Sequence, residues 1–307
     1  MIRHALLRLL TAVPTLLVLV TLTFFLMRLA PGGPFDRERA LPPEIEAALA
    51  AEYHLDEPLP QQYLRYLAGL ARGDLGPSFQ YEGFRVSELI AKGLPISLAL
   101  GALAMLLALL LGVSMGIVAA LAHRRWPDYG LMSAALLGVS IPSYVVAPML
   151  VLVFAVMLRW LPAGGWLPGR FSDLVLPVVA LALPQISAIA RLLRGALLEV
   201  LQQPYLRTAR AKGLSPAKVI LRHALKPALM PLVSYLGPAT AGILTGSVVV
   251  EQVFDLPGIG RYFVQGALNR DYTLVLGVVA VYGTLIVLFN FVVDLAYGLL
   301  DPRIKSQ

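Results

Sequence analysis

The chain contains no cysteine and little charge. None of its 307 residues is Cys, and only 14% are Asp, Glu, Lys or Arg. Without cysteine the protein cannot form a disulfide or hold a zinc ion or an iron–sulfur cluster through thiolates. The four histidines are scattered without the spacing of metal ligands: His4, His54, His123 and His223. The sequence therefore predicts no metal site.

The sequence also lacks the motifs by which an enzyme would bind a nucleotide or activate a nucleophile. It has no GxxxxGK[ST] stretch, the loop that cradles phosphates in many ATPases. No nucleophile stands beside a candidate base in a catalytic pattern. We therefore predict that the chain is not an enzyme and has no catalytic residues and no cofactor of its own.

Charge is absent from the middle of every long apolar run. The chain is 58% hydrophobic, and six runs reach the roughly 17–25 residues that a membrane-spanning helix needs. They are Leu9–Leu29, Leu94–Ala122, Tyr129–Leu158, Leu174–Leu193, Ala228–Val250 and Leu274–Leu300. The sequence predicts an all-α integral membrane protein with six transmembrane helices. We expect the first to be a retained anchor, because its apolar core is too long for a signal peptide.

The distribution of basic residues predicts the orientation of these helices. With a cytoplasmic N-terminus, the inside segments hold 14 Lys and Arg against 4 Asp and Glu, and the outside segments hold 11 against 14. Cytoplasmic loops of membrane proteins carry an excess of Lys and Arg. We therefore expect both termini to lie in the cytoplasm. The net charge of +7 records this topology, and we expect no nucleic-acid partner.

A long loop, Pro31–Lys92, follows the first span on the predicted outer side. It contains two predicted surface helices, PPEIEAALAAEYH at 42–54 and QQYLRYLAGLARG at 61–73, and then a GDLGPSFQYEG loop. The loop either caps the outer surface or contacts an extracytoplasmic partner. We divide the chain into residues 1–93, the anchor with its loop, and residues 94–307, the transmembrane core with a cytoplasmic hairpin at 194–227.

The hairpin has the sequence YLRTARAKGLSPAKVILRHALKP. Pro204 suits the first turn of a helix that runs through Lys212, and Gly213 suits the left-handed position after its end. Ser215 and Pro216 then supply a cap and a first-turn residue for a second helix. The sequence predicts two short helices that meet at a tight corner.

Two explanations compete for this basic hairpin. A polybasic segment can lie on anionic lipid headgroups, which Lys218, Arg222 and Lys226 would favour at their four-residue spacing. Lipid binding does not explain the capped corner or the small side chains beside it, among them Thr208 and Ala211. A plug that enters a pocket on a cytoplasmic protein needs both features, and we favour docking.

Several motifs together resemble one family. RTARAKG followed by HALKPALMP is similar to the cytoplasmic EAA motif of permease subunits in binding-protein-dependent ABC importers. The Glu-Ala-Ala start and later glycine of that motif correspond to Arg207, Thr208, Ala209 and Gly213. The first two positions, Arg207 and Thr208, depart from that pattern, as they do in the peptide and nickel branch of the family. LRLLTAVPTLLVLVTLTFFLMRLAPGGPF, GDLGPSF, VFDLPGIGRYFVQGALNRDY and LLDPRIK extend the resemblance to B-type permeases of oligopeptide importers over nearly the whole chain.

The resemblance implies a type I ABC importer (MetI-like) permease fold in the bacterial cytoplasmic (inner) membrane. It implies a second homologous permease, two cytoplasmic ATP-binding subunits that hold ATP and Mg²⁺, an extracytoplasmic peptide-binding protein and surrounding lipids. The hairpin would be the helix that couples to an ATP-binding subunit. The implied coupling residues are Leu206, Arg207, Thr208, Ala209, Arg210, Ala211, Lys212, Gly213 and Leu214.

Neutral polar residues interrupt the spans and form a candidate lining for a peptide path. An uncharged wall would suit peptides of varied side chains, although each residue alone also suits helix packing. The candidates are Ser143, Tyr144, Gln185, Ser187, Tyr235, Thr240, Thr245 and Asn290.

A segment between the last two spans, EQVFDLPGIGRYFVQGALNRDY, predicts a turn and a short amphipathic helix. It serves either as an outer gate or binding-protein contact, or simply as a packed lid. The candidate gate residues are Phe254, Leu256, Pro257, Gly258, Tyr262 and Phe263.

The substrate that the resemblance implies is an oligopeptide. Lys226-Pro227 stands where dipeptide-type subunits more often carry asparagine, which resembles the oligopeptide branch. A permease for dipeptides or nickel chelates is the alternative within the family. An ion-coupled secondary carrier and a lipid-anchored scaffold are the alternatives outside it.

Overall fold

The computed structural model describes residues 2–29, 33, 44 and 51–300, with side chains at 10–29, 33, 44 and 51–295. Its regular elements in these ranges are helices, and one isolated bridge joins Pro77 to Arg85. The helices are α1 (Ile2–Leu29), α2 (Leu59–Ala71), α3 (Val86–Leu121), α4 (Trp126–Ser140), α5 (Ser143–Leu150), α6 (Ser172–Leu201), α7 (Pro204–Ala211), α8 (Pro216–Lys218), α9 (Leu225–Ala228), α10 (Met230–Val253), α11 (Ile259–Leu268) and α12 (Tyr272–Leu300). The predicted all-α class is confirmed.

The helices account for the predicted spans. In the described part of the chain, α1, α3, α6, α10 and α12 are each long and apolar enough to cross a membrane, and the bent pair of α4 and α5 makes a sixth if it counts as one span. The second predicted surface helix is confirmed as α2, and Gly73 follows it with φ of +74°. The first, at 42–54, lies largely outside the described residues.

The third predicted span, Tyr129–Leu158, is broken near its middle. Trp126–Ser140 and Ser143–Met157 meet at 102°. Pro142 has no N–H to give to a helix, and it disfavours helical backbone in the residue before it. Ile141 is accordingly extended, with φ −99° and ψ 118°. Val151–Met157 then continues α5 as a π-helical segment.

The chain forms two compact units, of which the first comprises the described residues within 1–8, 98–256 and 286–307. Its centre is α6, which packs against α4, α5 and α10 and buries residues along most of its length. α3 approaches α6 through two glycines. A Cβ at Gly112 would lie 2.8 Å from Cβ of Ile189, and one at Gly116 would lie 2.9 Å from the carbonyl oxygen of Ala190. Such contacts need small residues.

The second unit comprises the described residues within 9–97 and 257–285. The predicted GDLGPSFQYEG loop is held in it by the fully buried carboxylate of Asp271. Asp271 accepts hydrogen bonds from Ser78 Oγ at 2.5 Å and from the backbone N–H of Gln80, N···O 3.0 Å. It also accepts from Thr273 Oγ1 and from the N–H of Leu274, both at 3.0 Å. The bonds from Ser78 and Gln80 fix the loop to the start of α12, and those from Thr273 and Leu274 orient the carboxylate.

Candidate functional site

The predicted corner of the hairpin is present. α7 ends at Ala211, one residue earlier than expected, and Gly213 adopts φ of +78°. The N–H of Gly213 donates to the carbonyl of Arg210 at 2.9 Å, and the N–H of Leu214 donates to that of Ala209 at 3.4 Å. A left-handed residue after the last helical turn favours glycine, because it has no Cβ to clash.

The second arm begins as the sequence predicts but is capped differently. Ser215 has extended backbone at the N-cap position of α8, and Pro216 opens the helix. The expected side-chain cap is wrong, because the hydroxyl of Ser215 makes no capping hydrogen bond. The arm continues through a π-helical segment, Val219–Ala224, into α9.

An apolar cluster attaches the hairpin to the first unit. Leu206 is 0% exposed, Ala209 is buried, and both belong to a cluster with Val219 and with Leu193 and Leu197 of α6. We did not anticipate this inward role for Leu206 and Ala209, although their spacing of three residues places them on one face of α7. The other predicted coupling residues are exposed, except the half-buried Leu214: Arg207, Thr208, Arg210, Ala211, Lys212 and Gly213.

The outward face of the hairpin is basic. Lys218, Arg222 and Lys226 are exposed as predicted, together with the arginines and lysine of α7 and its cap. The sequence contains no Asp or Glu between Glu199 and Glu251. This surface therefore suits an acidic or anionic partner.

An ion pair that the sequence analysis missed lies close to the base of the hairpin. Arg194 of α6 binds Asp128 of α4 through two bonds, Nε to Oδ1 at 2.6 Å and Nη2 to Oδ2 at 2.7 Å. The N–H of Arg124 donates to Oδ2 of Asp128 at 3.1 Å, and His123 Nδ1 lies 3.5 Å from the same oxygen. The Asp128 side chain is 1% exposed. The pair ties the start of α4 to α6.

The structure joins two of the predicted path residues. Tyr235 OH donates to Gln185 Oε1 at 2.9 Å, linking α10 to the middle of α6. Four other candidates bond a backbone carbonyl of their own helix: Ser187, Thr240, Thr245 and Asn290. Ser143 and Tyr144 lie at the bend between α4 and α5. A shared path through these residues stays a prediction.

The predicted outer-gate residues fall into two groups. Phe254 and Leu256 are fully buried in the first unit, where the N–H of Gly165 donates to the carbonyl of Phe254 at 2.8 Å. In the second unit the predicted amphipathic helix is confirmed as α11. Tyr262 and Phe263 of α11 pack against an apolar cluster that also contains residues of α3 and α12. Pro257 and Gly258 precede α11, and a gating role stays a prediction.

Gly93 of α3 allows this segment to pack closely in the second unit. A Cβ there would lie 3.0 Å from Gly258 C, from Ile259 N and from the Tyr262 ring. We expect Gly93→Val to lower the free energy of unfolding by about 1–3 kcal/mol through overpacking, read as a lower midpoint of thermal unfolding in detergent. Gly130→Val is the matched control, because open space surrounds this helical glycine. Equal shifts in the two variants would contradict the expectation.

Metal coordination finds no support in the described residues. Among them, no group of three or more His, Asp or Glu side chains is placed to hold an ion. The exposed basic corner of the hairpin is attached to α6 by the apolar cluster that the two share.

Two family models together match nearly the whole chain. The model described as binding-protein-dependent transport system inner membrane component matches residues 112–306, and the model of the N-terminal part of such membrane components matches residues 1–101.

Relatives of the chain are similar over almost their full length. The chain is 54% identical to the oligopeptide transport system permease protein OppB of Haemophilus influenzae, over 97% of each chain. It is 53% identical to OppB of Escherichia coli (strain K12), over 99% of this chain and 100% of the relative. It is 45% identical to the dipeptide transport system permease protein DppB of Bacillus subtilis, over 99% of this chain and 98% of the relative.

A solved structure of the MetNI methionine ABC transporter, in an inward-facing conformation, has the same fold. The TM-score is 0.57 at 18% identity, over 70% of this chain and 97% of that chain. The predicted type I importer permease fold is therefore confirmed.

Proposed function

Because the chain belongs to the family of inner membrane components of binding-protein-dependent transport systems, we propose that it forms half of an ATP-driven channel that imports oligopeptides. The observation that carries this proposal is 53–54% identity to oligopeptide permeases over nearly the full length. The oligopeptide relatives are also more similar to the chain than the dipeptide permease, at 45%.

The hairpin gives the channel a physical link to an ATP-binding subunit. Its exposed corner combines a left-handed glycine with the small side chains of Thr208 and Ala211, which permits a close approach by another backbone. Leu206 and Val219 pack in one cluster with Leu193 of α6. A displacement of the corner by a docked subunit is therefore passed to α6 and to the polar pair that α6 shares with α10.

The remaining partners follow from the same assembly. A second homologous permease completes the channel, two cytoplasmic subunits bind ATP and Mg²⁺, and an extracytoplasmic binding protein delivers the peptide. The chain itself needs no catalytic group, because ATP is hydrolysed on the partner subunits. The excess of Lys and Arg in the hairpin and near both termini supports a cytoplasmic position for these segments.

Uptake by the reconstituted complex tests this function. We expect proteoliposomes that contain both permeases and ATP-loaded ATPase subunits to accumulate a labelled oligopeptide supplied with its binding protein. An excess of dipeptide is expected to compete poorly. Efficient uptake of dipeptide alone would instead assign the chain to the dipeptide branch. Uptake by this chain alone, driven by a proton or sodium gradient without ATP, would establish a secondary carrier and refute the proposal.

A further inference from the structure

One face of α10 is open and carries mostly small and polar residues. The exposed positions between residues 231 and 249 recur every three or four residues, which places them on one side of the helix. They are Pro231, Ser234, Pro238, Gly242, Thr245 and Val249. The exposed positions of α3, by contrast, include the large apolar residues Leu106, Leu110 and Val118. α3 thus presents a surface suited to lipid, whereas the open face of α10 suits polar or close-packed surroundings.

Gln185, near the middle of α6, lies beside this open face. Its side chain is half-buried, and its Oε1 accepts a hydrogen bond from Tyr235 OH at 2.9 Å. A Cβ at Gly242 would lie 3.0 Å from Nε2 of Gln185. Because Gly242 is exposed and has no side chain, α10 leaves the amide nitrogen uncovered at this point.

The amide nitrogen of Gln185 keeps donors available for a ligand. A primary amide nitrogen has two N–H groups. Among the described residues, the bond with Tyr235 is the one hydrogen bond that the Gln185 side chain makes, and it uses the amide oxygen. Nε2 is not completely enclosed, so a ligand on the open side can reach it. Since Tyr235 holds the oxygen, the direction of the N–H groups is fixed.

The chemistry of this donor matches the backbone of a peptide. Every residue of a peptide offers a carbonyl oxygen, whatever its side chain, and an amide N–H is a donor for such an oxygen. A neutral donor does not select between acidic and basic side chains. One neutral hydrogen bond also contributes only modestly to binding in net terms, and a transport site must release its substrate as well as bind it.

We propose that Gln185 binds the imported peptide, with Nε2 donating a hydrogen bond to a backbone carbonyl of the substrate. Tyr235 is a positioning residue, because it acts by holding the amide oxygen of Gln185. The absence of a side chain at Gly242 gives the peptide access to the amide. This inference rests on the proposed function, since it assigns a substrate contact within the same channel.

A charge introduced at Gln185 tests contact with the substrate. Gln185→Glu keeps the length of the side chain and an oxygen for Tyr235, but it adds a negative charge. Uptake is measured in the reconstituted complex for two labelled peptides of equal length that differ by one Lys or Glu. We expect the ratio of Lys-peptide to Glu-peptide uptake to rise about tenfold relative to the unaltered complex. The preference of the unchanged binding protein cancels in this comparison.

Gln61→Glu is the matched control for the introduced charge. Gln61 is exposed on α2, outside the predicted spans, and the same substitution there should leave the uptake ratio unchanged. An equal rise in both variants would show a general effect of charge and would overturn the contact.

Neutral variants test the donor and its positioning. Gln185→Met removes the donor and should lower uptake of both peptides about five- to tenfold at equal amounts of assembled complex. Tyr235→Phe keeps the ring and should lower uptake about two- to threefold. The double variant should match Gln185→Met, because Tyr235 acts through Gln185. Unaltered uptake by Gln185→Met would overturn the proposal.

Cysteine labelling decides if Gln185→Glu does not assemble. The chain has no cysteine, so Gln185→Cys carries its one thiol. We expect a hydrophilic thiosulfonate reagent to label it, because the reactive thiolate forms in water, and peptide supplied with binding protein and ATP to slow the labelling. Ser114→Cys, exposed beside Leu110 and Val118 on α3, should label poorly. No labelling at position 185, or labelling that peptide does not slow, would overturn the proposal.

The unaltered complex separates this inference from the proposed function. If it imports no peptide, the proposed function fails and the role of Gln185 fails with it. If it imports peptide and Gln185→Glu leaves the uptake ratio unchanged, only the role of Gln185 is refuted. The amide would then serve to pack α6 against α10.

Discussion

Replacing Gly213 with aspartate is expected to abolish ATP-driven uptake by the assembled transporter while leaving membrane insertion intact. Apart from the two neighbouring residues, no atom lies within 4 Å of the position of a Cβ at this exposed corner, so the added Cβ meets no clash there. The left-handed conformation, φ +78°, costs a non-glycine residue about 1–2 kcal/mol, which folding tolerates. In the complex, the added bulk and negative charge would occupy the space of a docked subunit. Peptide uptake by proteoliposomes and the amount of inserted chain are the two measurements.

Gly83→Asp is the matched control for this change. Gly83 has the same φ of +78°, is exposed and has nothing within 4 Å of a Cβ, but it lies in the loop predicted to be outside. Its variant carries the same backbone strain and charge and should retain uptake. Neutralising Lys218 and Arg222 should reduce uptake less than Gly213→Asp if the corner, and not the basic stripe, makes the contact. Normal uptake by Gly213→Asp would refute docking at this corner and favour a hairpin that lies on lipid.

The second large effect is expected at the ion pair near the base of the hairpin. Arg194→Met would leave the Asp128 carboxylate buried, and removing one partner of a buried pair typically costs 3–5 kcal/mol. We expect a loss of about 3 kcal/mol in the free energy of unfolding, because Arg194 is 27% exposed and water can reach part of the gap. Asp128→Asn should cost less, since Arg194 keeps its access to water and the amide oxygen still accepts from the Arg124 N–H.

Thermal unfolding of the purified chain measures both variants of the pair. Arg191→Met is the matched control, because this exposed arginine lies one turn earlier on α6 and, among the described residues, makes one hydrogen bond, from Nε to the Ser187 carbonyl at 3.3 Å. It loses the same charge without exposing a buried carboxylate. A midpoint shift in Arg191→Met as large as that in Arg194→Met would show that the pair contributes little to stability.

The fold could be predicted where local chemistry decides the backbone. Apolar length located the membrane helices, because a span needs a minimum run of residues whatever its neighbours. Proline and glycine positions located the hairpin: Pro204 and Pro216 each open a helix, and Gly213 ends one. The bend at Pro142 follows from the same rules, although its angle of 102° depends on packing that no single segment specifies.

The missed features are contacts between residues far apart in the sequence. Asp128 and Arg194 are 66 positions apart, and Ser78 and Asp271 are 193 apart. Neither pair has a periodic or motif-like signature, since each depends on which helices become neighbours. The candidate path illustrates the converse, because four of its eight polar residues bond a carbonyl of their own helix. Gln185 and Tyr235 bond each other across two helices.

The continuous length of α6 has a geometric consequence for the transporter. A helix of 30 residues measures about 45 Å at ~1.5 Å per residue, so a tilt of about 5° moves one end by about 4 Å relative to the other. Leu193 and Leu197 pack against the hairpin near one end of this helix, and Gly112 and Gly116 of α3 pack closely against its side. We therefore expect a small rotation of α6 at its hairpin end to become an ångström-scale displacement at its other end.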